Sequence, residues 1–165
     1  MMCLKEDCSM IRAVTLALAL AFSAASTTVF AAEDSPKGSP SEAVAMVKRV
    51  KEMFARQGKE ATFAAIDDAT TPAFHDRDLY PFVYDLQGVN VAHGARPVLV
   101  GKNLSSLKDQ DGKYLIQEII RVAVESGSGW VDYKWPHPIT NKIEDKSSYV
   151  EMMGAYVVGV GIYKD

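Results

Sequence analysis

Hydrophobic positions fall into three regimes along the chain. Over residues 11–32 they run almost unbroken, over 40–67 they recur every three or four positions, and beyond 79 they come in short aromatic and β-branched runs. The middle regime opens on Ser39, Pro40, Ser41 and Glu42. This is a capping-box pattern, with Ser39 as N-cap, Pro40 at the first helical position and Glu42 placed to bond back. Ala43, Val47, Val50 and Phe54 then share one helical face, and Gly58 offers a left-handed stop. A shorter helix is predicted over 59–67, before Thr70, Thr71 and Pro72 break it.

The third regime reads as sheet. Residues 79–85 (LYPFVYD) form one strand, Leu86, Gln87 and Gly88 a tight turn, and residues 89–93 a returning strand. Pro81 confines the first of these to an edge or makes it a strand start. An irregular stretch over 94–109 carries Pro97, Gly101 and Asn103, and a turn over 109–112 leads into a helix. Its apolar residues Leu115, Ile116, Ile119, Ile120 and Ala123 repeat helically up to Gly127. Three further strands follow, over 130–135, 147–152 and 156–163. The fold class is therefore α+β, a five-stranded antiparallel sheet with helices packed on it.

The apolar run over 11–32 carries Arg12 at its start and closes on Val29, Phe30 and Ala31, which put the smaller Val29 and Ala31 at the two positions a signal peptidase reads. The expected organisation is a signal peptide over 1–31, a linker over 32–39 and one domain over 40–165, exported to the periplasm. An uncleaved membrane anchor is the alternative, against which Ser23, Ser26, Thr27 and Thr28 make the second half of the run a poor span. Translation begins at Met1 or at Met10, since the segment before Met10 lacks the usual basic start. Both cysteines, Cys3 and Cys8, precede the run, so the exported part has no disulfide, thiol nucleophile or thiolate metal site.

Composition narrows the functions. With 18 basic against 21 acidic residues the chain of 165 has a net charge of −3, and no basic block offers the phosphate-neutralising surface that nucleic acid requires. Asp109, Asp111 and Gly112 imitate the start of a calcium loop, but Ile120 stands where the bidentate glutamate belongs. Gly159 and Gly161 make no dinucleotide fingerprint, because no helix can follow; in a strand they mark close backbone approach. His75, Asp76 and Asp78 are read as a solvated turn rather than a metal cluster, and Asn103, Leu104 and Ser105 form a sequon. Neither GxSxG nor HExxH is present, and no cofactor is expected.

What remains is a set of polar-tipped rings and cations. Tyr133 and Trp135 share one face of their strand, Tyr149 lies mid-strand in the next, and His93 ends the second strand where the loop with Arg96 departs. Such groups enclose a small polar ligand, and Lys146, Arg96 or a protonated His93 can pair a carboxylate.

Four blocks in order carry a resemblance: FVYDLQGVNVAHG over 82–94, VGKNLSSLKDQDGKYLIQEI over 100–119, GSGWVDYKWPHP over 127–138, and KSSYV followed by VVGVGIY up to Tyr163. Here the chain resembles the single Cache domain, the extracytoplasmic sensor module of bacterial chemoreceptors and sensor kinases. The resemblance implies a PAS-like sheet with a long N-terminal helix on one face and a small-molecule pocket on the other, often for short carboxylates. It further implies a pocket built by His93, Arg96, Tyr133, Trp135, Lys146 and Tyr149. Because the sequence stops at Asp165, the expectation is a free exported domain that binds a metabolite without catalysis and presents it to a membrane-bound receptor or kinase, with a helix-mediated homodimer as a further partner. An accessory interaction subunit with a vestigial pocket is the alternative. A hydrolase using His75 or His93 ranks third, for want of a nucleophile beside either.

Overall fold

The computed structural model describes residues 37–164; the expected signal peptide over 1–31 lies outside them. Helix α1 (Pro40–Asp67) starts as the capping box requires: the Glu42 amide donates to Ser39 Oγ at 3.4 Å and the Ser39 amide to Glu42 Oε2 at 2.8 Å. Gly58 stops the helix only locally. At φ 79° and ψ 178° it kinks the chain, and the helix resumes at once, with Thr62 Oγ1 donating back to the Gly58 carbonyl at 2.8 Å. The two expected helices are thus one element with a kink.

The strands are β1 (Pro81–Asp85), β2 (Asn90–His93), β3 (Ser128–Pro136), β4 (Ile143–Met153) and β5 (Tyr156–Tyr163), with helix α2 (Leu115–Ser126) before β3 and a single 3₁₀ turn at Pro97–Leu99. They form one antiparallel sheet in the order β2-β1-β5-β4-β3. Since β1 lies between β2 and β5, Pro81 is a strand start, not an edge residue. β4 begins four residues earlier than expected, at Ile143. After Ile143 it runs through the polar Glu144 and Asp145, because β3 and β4 extend beyond the core there, and the strands pair through Lys134 and Asp145 at 2.8 Å.

Each face of the sheet carries its own core. On one, Ala43, Met46, Val47, Val50 and Ile66 of α1 pack on Val83, Ala92, Val158 and Val160. On the other, Leu115, Ile116, Ile119 and Ala123 of α2 pack on Phe82, Tyr84, Val131, Tyr133 and Val157. Full burial of such side chains is worth about 1.5–3 kcal/mol each. The last residues of the expected linker are also part of the fold. Gly38 is buried, its amide donates to Asp78 Oδ1 at 2.6 Å, and a Cβ there would collide with Leu79. No helix among the described residues is long and apolar enough to cross a membrane.

Candidate functional site

Strand alternation decides which side chains reach the face covered by α2. Along β5, Val157, Gly159, Gly161 and Tyr163 face it; along β4, Lys146, Ser148 and Val150 lie opposite Tyr163, Gly161 and Gly159. The two glycines leave a bare lane on β5. A Cβ at Gly161 would collide with Lys146 Cε and Ser148 Oγ, and one at Gly159 with the Phe82 ring. The lane therefore lets a lysine and a phenyl ring lie flat across the strand, the close approach expected of glycines in a strand.

Lys146 is buried to 1% exposure. Its Nζ donates to Tyr80 Oη at 2.7 Å and, more weakly, to Tyr163 Oη at 3.4 Å. The phenols continue the chain: Tyr80 and Tyr163 hydroxyls are 3.1 Å apart, and Tyr163 donates to the Pro136 carbonyl at 2.9 Å. The ammonium also sits 4.0 Å from the centroid of the Tyr80 ring and 4.8 Å from that of Tyr163. Among the described residues no carboxylate forms an ion pair with it. Burial pushes its pKa well below the ordinary lysine value; the nearby Asp78 carboxylate opposes the shift and Arg96 adds to it. Burial likewise raises the Tyr80 phenol well above its usual range, so Tyr80 is neutral at physiological pH.

His93 is 2% exposed and stands between Tyr80 and Trp135, with ring centroids 5.3 and 6.4 Å away. Its Nδ1 accepts the Arg96 amide at 3.0 Å and the Ala95 amide at 3.3 Å, which leaves the ring proton on Nε2. Burial, reinforced by Lys146 and Arg96, lowers its pKa to about 3. The protonated His93 considered from sequence is thus corrected to a neutral imidazole offering one N–H. Tyr133, also buried, shares a 2.8 Å hydrogen bond with Ser148 Oγ.

His93, Tyr133, Trp135 and Lys146 line one hollow, closed by Leu115 and Ile116 of α2. It is small, a cavity of about 10 Å³, room for about one water. Arg96 lies on the far side of Trp135, in a second cavity of about 340 Å³ that also shares Leu115. Tyr149 is not brought to either. On the odd phase of β4 it packs on the α1 side, its ring 5.6 Å from that of Trp130. Sequence reasoning missed Tyr80, Phe82 and Tyr84, although their i, i+2 spacing in LYPFVYD was the signal, and Tyr163. The other candidates resolve into local structure. Asp109 caps its own turn by accepting the Asp111 and Lys113 amides at 3.0 and 2.9 Å. His75 bonds the Thr71 and Gly94 carbonyls, while Asp78 turns away to Gly38.

The family model of the Cache domain matches residues 41–165. The chain belongs to the Cache domain family. Cache domains are extracytoplasmic sensor modules, found in chemoreceptors and histidine kinases. This Cache domain is 37% identical over 108 residues to the sensor histidine kinase MctS of Rhizobium johnstonii, a match covering 64% of the chain and 23% of that kinase, so it spans under a quarter of that relative. A methyl-accepting chemotaxis protein from Vibrio parahaemolyticus is 30% identical with a TM-score of 0.65, over 76% of this Cache domain and 88% of the solved chain. A Cache chemosensory domain described as a structural basis for carboxylic acid recognition shares the fold, at 24% identity and a TM-score of 0.61 over 76% and 88% of the two chains.

Proposed function

We propose that this Cache domain captures a short monocarboxylate on Lys146, as the ligand-binding part of an extracytoplasmic sensor that acts on a membrane-bound receptor or kinase and carries out no catalysis. The observation that carries the reading is a buried ammonium whose hydrogen-bond acceptors are two phenols. A buried charge is costly unless an opposite charge and further hydrogen bonds meet it, and a carboxylate meets that need. The neutral His93 supplies an Nε2–H and Tyr133 a hydroxyl on the same hollow, while Leu115, Ile116 and Phe82 suit an alkyl group. One anion also balances the local charge, with Lys146 and Arg96 positive and Asp78 negative. Recognition of a carboxylic acid by a domain of the same fold is consistent with this reading.

The hollow must widen to admit even the four heavy atoms of acetate. The yielding wall is Trp135, half-buried on edge strand β3 between the hollow and the loop over 94–109. A ligand that favours the widened arrangement shifts the loop with it, which is how occupancy becomes a signal. The lack of catalysis rests on His93, whose acceptor nitrogen is already engaged by two amides and so serves as no general base.

Scanning fluorimetry with acetate, propionate and butyrate, against ethylamine, glycine and succinate, tests the reading. Monocarboxylates are expected to raise the melting temperature of the wild type and not of Lys146→Met. If no monocarboxylate stabilises the protein, or Lys146→Met responds equally, carboxylate capture is wrong. The smallness of the hollow favours a second reading, an accessory subunit with a vestigial pocket. A stoichiometric partner recovered from periplasmic extract, with no response to any small acid, would support it.

A further inference from the structure

The hollow around Lys146 does not stand alone. Leu115 and Trp135 are shared between it and the outer cavity, so these two side chains are a partition with a chamber on each side. The chambers differ in kind. The inner one has room for about one water beside a buried ammonium. The outer one, of about 340 Å³, falls within the 300–1,000 Å³ range typical of small-molecule sites and is walled by Leu99, Leu104, Leu107, Pro136 and Ile143.

Charge at the outer chamber is mostly spent. Lys134 is held by Asp145 at 2.8 Å, the Asp109 carboxylate accepts the Lys134 amide at 3.2 Å, and Lys108 lies over the Tyr114 ring at 4.5 Å. Among the described residues the Arg96 guanidinium makes one long hydrogen bond, to Asn141 Oδ1 at 3.4 Å. An anionic head is better served inside, where the fully buried Lys146 is less screened than the half-buried Arg96, and an alkyl chain is better served against the apolar walls outside. The reverse orientation would set an alkyl chain beside the buried Lys146 ammonium and leave that charge without a counter-ion.

We infer that the outer chamber is a subsite for the alkyl tail of the ligand, so that this domain prefers linear monocarboxylates of about four to eight carbons, threaded between Leu115 and Trp135 with the head on Lys146. This rests on carboxylate capture at Lys146 and adds the chain-length selectivity. Each methylene buried in the outer chamber contributes about 0.8 kcal/mol, a gain of about fourfold in affinity per carbon.

Calorimetric titration of the protein with acetate, butyrate, hexanoate and octanoate reads this directly. The expected result is an affinity that climbs by about fourfold per methylene from butyrate to hexanoate, a slope flattened in Leu107→Gln and Ile143→Gln while acetate affinity stays within about twofold of wild type. Both positions are partly exposed, so the variants are expected to fold; circular dichroism checks this, and Leu99→Gln is the substitute if either fails. Acetate binding with no gain for longer chains overturns the tail subsite and leaves carboxylate capture standing. A chain-length gain untouched by the Leu107 and Ile143 variants overturns it as well, as does hexanoate binding that survives Lys146→Met. Failure of every acid at every length removes both readings together.

Discussion

Acidification isolates the cost of keeping His93 neutral. In the unfolded chain an imidazole takes its proton near its ordinary value of 6.5, whereas in the folded protein burial holds that event down to about 3. The unfolded state therefore binds the proton first, and stability is full above pH 6.5, falls as the pH drops from 6.5 to 3, and is flat below. At 1.36 kcal/mol per tenfold difference, the loss between pH 7.5 and pH 5 from this residue is about 2 kcal/mol. Asparagine at this position keeps an acceptor for the Arg96 amide and cannot titrate. Urea denaturation of wild type and His93→Asn at pH 7.5 and pH 5 separates the effect from that of the carboxylates, which both proteins share. The wild type is expected to lose about 2 kcal/mol more than the variant on going to pH 5. Parallel losses in the two proteins would refute a neutral, buried His93.

Other perturbations probe the same site. Lys146→Met removes a buried charge and should stabilise the free protein by about 1–4 kcal/mol in denaturant titration while abolishing the acetate response; destabilisation would mean that the ammonium is well compensated where it lies. Because burial pushes the Lys146 pKa down, carboxylate affinity should weaken as the pH rises through the Lys146 titration and the ammonium is lost. An affinity that stays flat with rising pH would contradict this. Gly161→Ala sets a methyl against Lys146 Cε and Ser148 Oγ and should cost about 1–3 kcal/mol along with most of the acetate affinity. Retention of both would show that the lysine can lie elsewhere. Ser39→Ala opens the capping box and should lower stability by about 1 kcal/mol without changing acetate affinity, so an altered affinity would tie the start of α1 to the pocket.

Local chemistry made much of the fold legible. The capping box at Ser39, the helical run from Leu115 to Ala123 and the β5 segment Tyr156–Tyr163 are each written in neighbouring residues, and each stands where it was expected. The start of β4 was not legible, because polar residues that pair on an exposed sheet margin look like a loop. The site was readable in part for a related reason. His93, Tyr133, Trp135 and Lys146 share a hollow because their strand phases agree. Tyr149 differs from Lys146 by an odd number of steps along β4, and that parity alone sends it to the other face. Tyr80, separated from Lys146 by 66 positions, becomes its partner only through the order of strands, which no local pattern states.

The lane of missing side chains on β5 restricts how this pocket can diversify. Its floor is Lys146 and Phe82 laid over bare peptide backbone, and any replacement of Gly159 or Gly161 would evict one of them before it touched a ligand. Taste for one acid over another must therefore be written in the walls and roof, in the aromatic strand β1, the β3 edge and α2, leaving the centre of the sheet as a fixed stage on which those parts can be exchanged.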